Sequence, residues 1–230
     1  MHIRIEASEI AEYAAGFPKY WLKFLFIEAL SVRYQINALA NTYVRLVEAA
    51  ITEYNIGIVQ LREYYFTHTS INLGALHHSI SHFEGCLSNM NRATNCFRKL
   101  RRHRDKDPLS VALNAEKFHF ATDANADCFR AMRNDIHHLD DLVMSGRLQE
   151  GQPFSLRPDG PEIPHPTEAN QTIKSIDHLT LGTRKVSFAE LAIWLREMAY
   201  VAEQIAEFRP SSSGQNLSRE VIKTIIPPGN

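Results

Sequence analysis

Residues 73–97 read LGALHHSISHFEGCLSNMNRATNCF, with apolar or small side chains at Leu73, Leu76, Ile80, Phe83, Leu87, Met90, Thr94 and Phe97. The steps alternate between three and four without a miss, which holds one face of an α-helix against a neighbour. Strict alternation is the seam pattern of helices that cross at about 20°. Three more stretches carry it. Leu25, Ala29, Val32, Ile36, Leu39, Tyr43, Leu46 and Ala50 form one. Phe129, Met132, Ile136, Leu139 and Val143 form another, and Phe188, Leu191, Leu195, Met198, Ala202 and Ile205 the last. The fold class expected is all-α, an antiparallel four-helix-type bundle.

The first stripe predicts one long helix from near Pro18, a residue tolerated in a first turn. Ile56 to Phe66 reads as a further helical turn or two, with Thr67 to Asn72 as the break before the second long helix. The third helix is expected to begin after Asp105-Lys106-Asp107-Pro108 and to stop at Ser145-Gly146, where glycine supplies a left-handed cap. Between Leu148 and Ser187 the periodicity disappears, and Pro153, Pro158, Pro161, Pro164 and Pro166 exclude a long helix. Thr172 to His178 and Leu179 to Val186, hinged near Gly182, are expected to pair as a short β-hairpin within this Pro-rich insertion. Residues 1–209 thus read as the bundle, with its insertion at 148–187. The stretch 210–230 reads as a flexible linker, Pro210-Ser-Ser-Ser-Gly, and a short terminal piece, Leu217 to Ile226.

With 230 residues, 44% hydrophobic and 22% charged, the composition is that of an ordinary globular protein with one sizeable core. The formal net charge of -1 supplies no global field for a nucleic acid, so such a partner must be held by a local patch. Cys86, Cys96 and Cys128 have no paired spacing, which suits a reducing compartment. No signal-peptide pattern is present, and the most apolar stretch, Trp21 to Leu30, is interrupted by Lys23 and Glu28; a cytoplasmic location with no membrane partner is expected.

Chemistry concentrates in Arg133-Asn134-Asp135-Ile136-His137-His138, inside the third stripe. A permanent cation, a carboxamide and a titratable imidazole lie within about a turn and a half of helix. Those are the parts needed to cut a phosphodiester without a metal: a guanidinium to neutralise charge growing on phosphate oxygens, and an imidazole to move a proton near neutral pH. A second Arg-x4-His spacing, Arg98 to His103, lies in a dense basic run at a helix end. There a solvated face or a phosphate-contacting patch is the better reading.

Arg133, Asn134 and His138 match, residue by residue, the Arg-polar-x3-His pattern that the chain shares with the HEPN family; together with the helix order over residues 18–208, the chain resembles that family. The resemblance implies an α-helical bundle acting as a metal-independent endoribonuclease, a homodimer with a composite active site where two motifs meet across a two-fold axis. It further implies a toxin or phage-defence role, with an antitoxin or regulatory protein as partner; other members have lost catalysis and only bind nucleotide, RNA or protein.

Helix geometry bears on that picture independently. Five residues at about 100° each put Arg133 and His138 about 140° apart, so from a regular helix they converge only through distortion or a second subunit. Asn134 and His138, four apart, share a face, as do Arg133 and His137. We assign His138 as general acid/base, Arg133 as the clamp on phosphate and transition state, and Asn134 as the orienter, with His137 and Asp135 in support. Attack by the ribose 2'-hydroxyl on the adjacent phosphorus leaves a 2',3'-cyclic phosphate, which restricts the substrate to RNA. Arg98, Lys99, Arg101, Arg102 and Arg104 are candidates for RNA backbone contacts.

Blander readings compete. Arg133 to His138 can be a polar helix face ion-paired to Asp135 or Asp141. His78 and His82, four apart, would need a third ligand from another helix to hold zinc, and Glu84 is badly phased for it. Glu116-x-x-His119 is half of a di-iron pattern, but its only echo, Glu162-x-x-His165, lies in the Pro-rich loop. Trp21 and Trp194 read as packing residues, and Cys128 as a small buried apolar group. No cofactor and no metal are assigned.

Overall fold

The computed structural model describes residues 1–26, 34–66, 72–102, 107–146, 156–157, 160–181 and 184–209. The chain is mostly helical, with a small amount of sheet. In order it forms β1 (His2–Ile5), α1 (Ala11–Ala14), α2 (Phe17–Phe26), α3 (Tyr34–Phe66), α4 (Leu73–Arg101) and α5 (Pro108–Asn114). A 3-10 turn (His119–Ala121), α6 (Asp123–His137), α7 (Leu139–Met144), β2 (Glu162–Pro164), β3 (Thr172–Ile176), β4 (His178–Leu181), β5 (Arg184–Ser187) and α8 (Phe188–Glu207) follow.

The helix starts are written in polar side chains that accept orphan amide hydrogens. Asn72 accepts from Ala75 N at 3.1 Å, and Asp107, ahead of Pro108, accepts from Leu109 N at 3.0 Å. Thr122 accepts from Asn125 N at 3.3 Å, while Ser187 and Glu190 make a reciprocal capping box on α8. At the far end of α7, Gly146 takes the expected left-handed backbone, φ 64°.

The two longest helices, α3 and α4, run antiparallel: Tyr43 meets Phe97 with ring centroids 5.9 Å apart, and Tyr54 meets Phe83 at 6.1 Å. Gly57 makes this possible, since a Cβ there would lie 3.2 Å from the Phe83 ring. Helix α8 lies antiparallel to α3 and completes the core, with its whole stripe buried. The buried tyrosines satisfy their hydroxyls across that interface: Tyr43 Oη donates to Met198 O at 3.1 Å, and Tyr54 Oη to Phe188 O at 3.4 Å and Ser8 O at 3.1 Å. Helix α6 packs Phe129 edge-on against Trp194 of α8, centroids 5.1 Å apart. Trp194 is thus core, as expected, and Trp21 donates its indole N–H to Glu48 at 2.7 Å.

Five expectations change. The first stripe is not one helix from near Pro18: Trp21 of α2 hydrogen-bonds Glu48 of α3, which a continuous helix would hold about 40 Å away at 1.5 Å per residue. Ile56 to Phe66 is no separate turn but the end of α3. The third helix is not continuous from Pro108 to Ser145. Asn114 ends α5 by donating its side-chain amide to Ser110 O at 2.8 Å and Arg101 O at 2.9 Å, taking acceptors the backbone would use. Phe118 and Phe120 then enter the core from an extended and a 3-10 segment, stacking about Phe97. A second break falls at His138, past which the stripe loses the core: Val143 is 54% exposed.

The fourth and fifth changes concern strands, so the chain is not purely helical. β4 and β5 form the hairpin across 182–183, pairing His178 with Ser187 and Leu181 with Arg184; Gly182 itself lies outside the described residues. With Leu181 paired to Arg184, that register leaves 172–176 without a partner in it. That segment pairs instead with β1 in parallel, His2 opposite Ile173, and with β2 in antiparallel, giving the order β1-β3-β2. Ala29 and Val32 of the first stripe, His103, Arg104 and the linker and tail of 210–230 also lie outside the described residues. Among those described, no helix is long and apolar enough to cross a membrane.

Candidate functional site

Helix α6 buries Ala126, Phe129 and Met132 and turns its other side outward. Arg133 and Asp135 are half-buried on its flanks, while Asn134, His137 and His138 are exposed. The motif is therefore accessible, and only Ile136 between its polar groups packs against the core.

His138 sits at the joint of α6 and α7. Its N–H still donates to Asn134 O at 2.9 Å, but its backbone is at φ −114°, ψ 25°, outside the helical well. The helix is thus distorted at the histidine itself, while the contacts of Arg133 and His138 go to different partners, Asn134 and Asp141. Asp140 and Asp141 fall in the first turn of α7, where carboxylates favour a helix start. The imidazole Nδ1 lies 3.4 Å from Asp141 Oδ2, and that side chain of His138 is 63% exposed.

The carboxamide does not do what helix phase suggests. Asn134 Oδ1 accepts from Arg133 Nη1 at 3.3 Å, so within one chain it steadies the guanidinium and Asp141 is the group beside the imidazole. The contact with Asp141 that a plain polar helix face would make is present. Asp135 is engaged elsewhere: Arg184 Nε on β5 donates to its Oδ2 at 2.8 Å, tying the hairpin to the motif. Sequence reasoning gave Arg184 no role, and no local signal could, since 49 residues separate the pair. The result is a second guanidinium beside the motif.

The basic run divides. Arg98 is ion-paired with Asp123 at the start of α6, and Arg101 donates to Asn114 Oδ1 at 2.9 Å while stacking over Phe97 at 5.4 Å. Both hold elements together. Lys99 and Arg102 are exposed. Because Arg98 touches Asp123 and His138 lies fifteen residues further along α6, the run and the motif are about 22 Å apart at 1.5 Å per residue. A strand contacting both must follow the length of α6.

The rival clusters resolve differently. His82 Nδ1 is 2.6 Å from Glu53 Oε2 of α3, and His78 is exposed. His119 Nδ1 is 2.5 Å from Glu197 Oε1, whose other oxygen accepts from Phe120 N at 3.0 Å, and Glu116 accepts from Gln204. Neither is in a trio of converging ligand atoms; among the described residues the only such group is His2, His165 and Glu168. Burial pushes the Cys86, Cys96 and Cys128 thiols up, which fits packing groups and not nucleophiles.

No family model matches this chain, and neither a curated protein nor a solved structure is significantly similar to it.

Proposed function

We propose that this chain is a HEPN-type, metal-independent endoribonuclease whose α3, α4, α6 and α8 form an antiparallel four-helix bundle. The observation that carries the reading is the helix break at His138. It places an exposed imidazole, an exposed carboxamide and a steadied guanidinium along one solvent-facing run that packing does not require.

In this reading His138 removes the proton from the ribose 2'-hydroxyl, or protonates the departing 5'-oxygen, with Asp141 holding Nδ1 and leaving Nε2 for the substrate. Arg133 sits where charge grows on the phosphorane oxygens. A second copy brings a second His138, so that one imidazole serves as base and the other as acid across a two-fold axis. RNA is then the substrate and the homodimer the working unit, and an antitoxin or regulatory partner would act by covering the cleft.

The test is cleavage of single-stranded RNA by purified full-length protein in excess EDTA. Wild type should cut, and His138→Ala and Arg133→Ala should each lose about 10²- to 10⁴-fold, the usual worth of a positioned proton donor or acceptor. Cleavage that EDTA abolishes, or a His138→Ala chain that cuts as well as wild type, ends the reading. A catalytically silent, nucleotide-, RNA- or protein-binding bundle is the second reading, favoured by Asn134 turning toward Arg133 instead of the imidazole. It predicts binding without a 2',3'-cyclic product.

A further inference from the structure

We propose that His2, His165 and Glu168 bind one divalent cation of the zinc class, which clasps β1 to the turn between β2 and β3. Their ligand atoms all lie within 4.8 Å of one another. His2 Nε2 is 3.0 Å from Glu168 Oε2, and His165 Nε2 is 3.8 Å from Glu168 Oε1, so the two imidazoles address opposite oxygens of one carboxylate. Their ring centroids are 4.6 Å apart at 36°. The ligands come from segments more than 160 residues apart in sequence, brought together by the parallel pairing of β1 with β3.

The turn that presents two of them is built. His165 N donates to Gln171 O at 2.8 Å, Gln171 N donates to Glu168 O at 3.2 Å, and Asn170 adopts a left-handed φ of 69°. The His165 side chain is only 17% exposed, whereas His2 and Glu168 are about half exposed and able to turn.

Donor chemistry selects the ion. Two imidazoles and a carboxylate suit zinc, cobalt or nickel, while calcium and magnesium prefer oxygen alone. Zinc sits about 2.0–2.2 Å from nitrogen and carboxylate oxygen, so two atoms on one ion are at most about 4.3 Å apart. Each imidazole already lies within that limit of one Glu168 oxygen, at 3.0 Å from Oε2 and 3.8 Å from Oε1. With every ligand atom within 4.8 Å of the others, a shift of at most about 0.5 Å in one exposed side chain brings all three onto one ion.

Two rearrangements are required: His2 Nε2, which donates to the Glu168 carboxylate, must pass its proton to Nδ1 before it can bind the ion, and His165 must do the same. His165 Nδ1 accepts from Glu168 N at 3.0 Å and Thr167 N at 3.4 Å, which leaves its proton on Nε2. Coordination through Nε2 shifts that proton to Nδ1, and the two amides, both exposed, turn to water. The ring stays neutral and no redox partner is involved. Three protein ligands leave a fourth position for water.

The experiment uses full-length protein stripped with EDTA and dialysed, then titrated with zinc by calorimetry and with cobalt by visible absorption. One ion per chain is expected, with a higher melting temperature and stronger amide-exchange protection of residues 2–5. Glu168→Gln and His165→Ala should each weaken binding at least tenfold, while His78→Ala and His82→Ala leave it unchanged. Should His165→Ala not fold, His2→Ala, at an exposed strand end, gives the same comparison. Absence of stoichiometric uptake, or uptake that survives Glu168→Gln and His2→Ala, overturns the proposal. The site shares no residue with the ribonuclease reading, so either fails alone.

Discussion

Replacing Gly57 and Gly85 by alanine, one at a time, should move stability in opposite directions, although both lie inside long helices. Removing a helical glycine alone is worth about 0.5–1 kcal/mol. At Gly57 the new methyl would meet three atoms of the Phe83 ring at 3.2 to 3.3 Å. That is several tenths inside the optimum for carbon contacts. Phe83 has no room to retreat, being fully buried between Tyr54 and Phe188. Overpacking of this kind costs about 1–3 kcal/mol, so Gly57→Ala should be destabilised by about 1–2 kcal/mol net. At Gly85 the methyl meets Glu53 Cδ at 3.2 Å, the end of a side chain that is 33% exposed. Glu53 can swing away, and its half-exposed pair with His82 is worth less than about 1 kcal/mol, so Gly85→Ala should be neutral to about 1 kcal/mol more stable. For a chain of this size the two melting temperatures should differ by about 4–8 °C in thermal denaturation. Shifts of equal sign and size would refute the α3–α4 packing on which α6 rests.

Other outcomes follow from named groups. Tyr54→Phe removes a hydroxyl that serves two carbonyls and should cost about 1 kcal/mol in denaturant unfolding; no loss would mean that water replaces it freely. If RNA binds, neutralising Lys99 and Arg102 should flatten the slope of log affinity against log salt by about one for each phosphate that then goes unneutralised. Arg98→Gln and Arg101→Gln should instead chiefly lower stability, because those guanidiniums hold Asp123 and Asn114. Burial, with Glu203 beside the first, pushes the Tyr20 and Tyr65 hydroxyls up from 10.0 to about 12. Their neutral forms are favoured on folding, so that contribution is intact below pH 10 and fades between about 10 and 12. Tyrosinate absorbance rising in the folded protein well below that window would contradict their placement.

The helices with the cleanest stripes were legible because one period decided everything: Phe83, Leu87, Met90 and Phe97 are all fully buried, as is the stripe of α8. The caps were partly legible, Asp107-Pro108 and Gly146 being local signals. What escaped was set by distance along the chain. Nothing in His2 to Ile5 announces a partner at 173–176, and the apolar spacing across Phe129 to Val143 hides a break at His138 that only backbone angles expose. Type and spacing single out Arg133, Asn134 and His138 as candidates, but they do not announce the turn of Asn134 toward Arg133. Nor do they announce the reach of Arg184 to Asp135 or the meeting of His2 with Glu168, each a product of strand pairing.

The junction at His138 makes one residue both the bearer of an exposed imidazole and the bend between α6 and α7. Val143 and Met144, 54% and 86% exposed, lie on the far side of that bend. A partner that gripped them would pull on α7 and with it Asp141, whose carboxylate lies 3.4 Å from the His138 imidazole, so the ring can be addressed from a surface outside the motif.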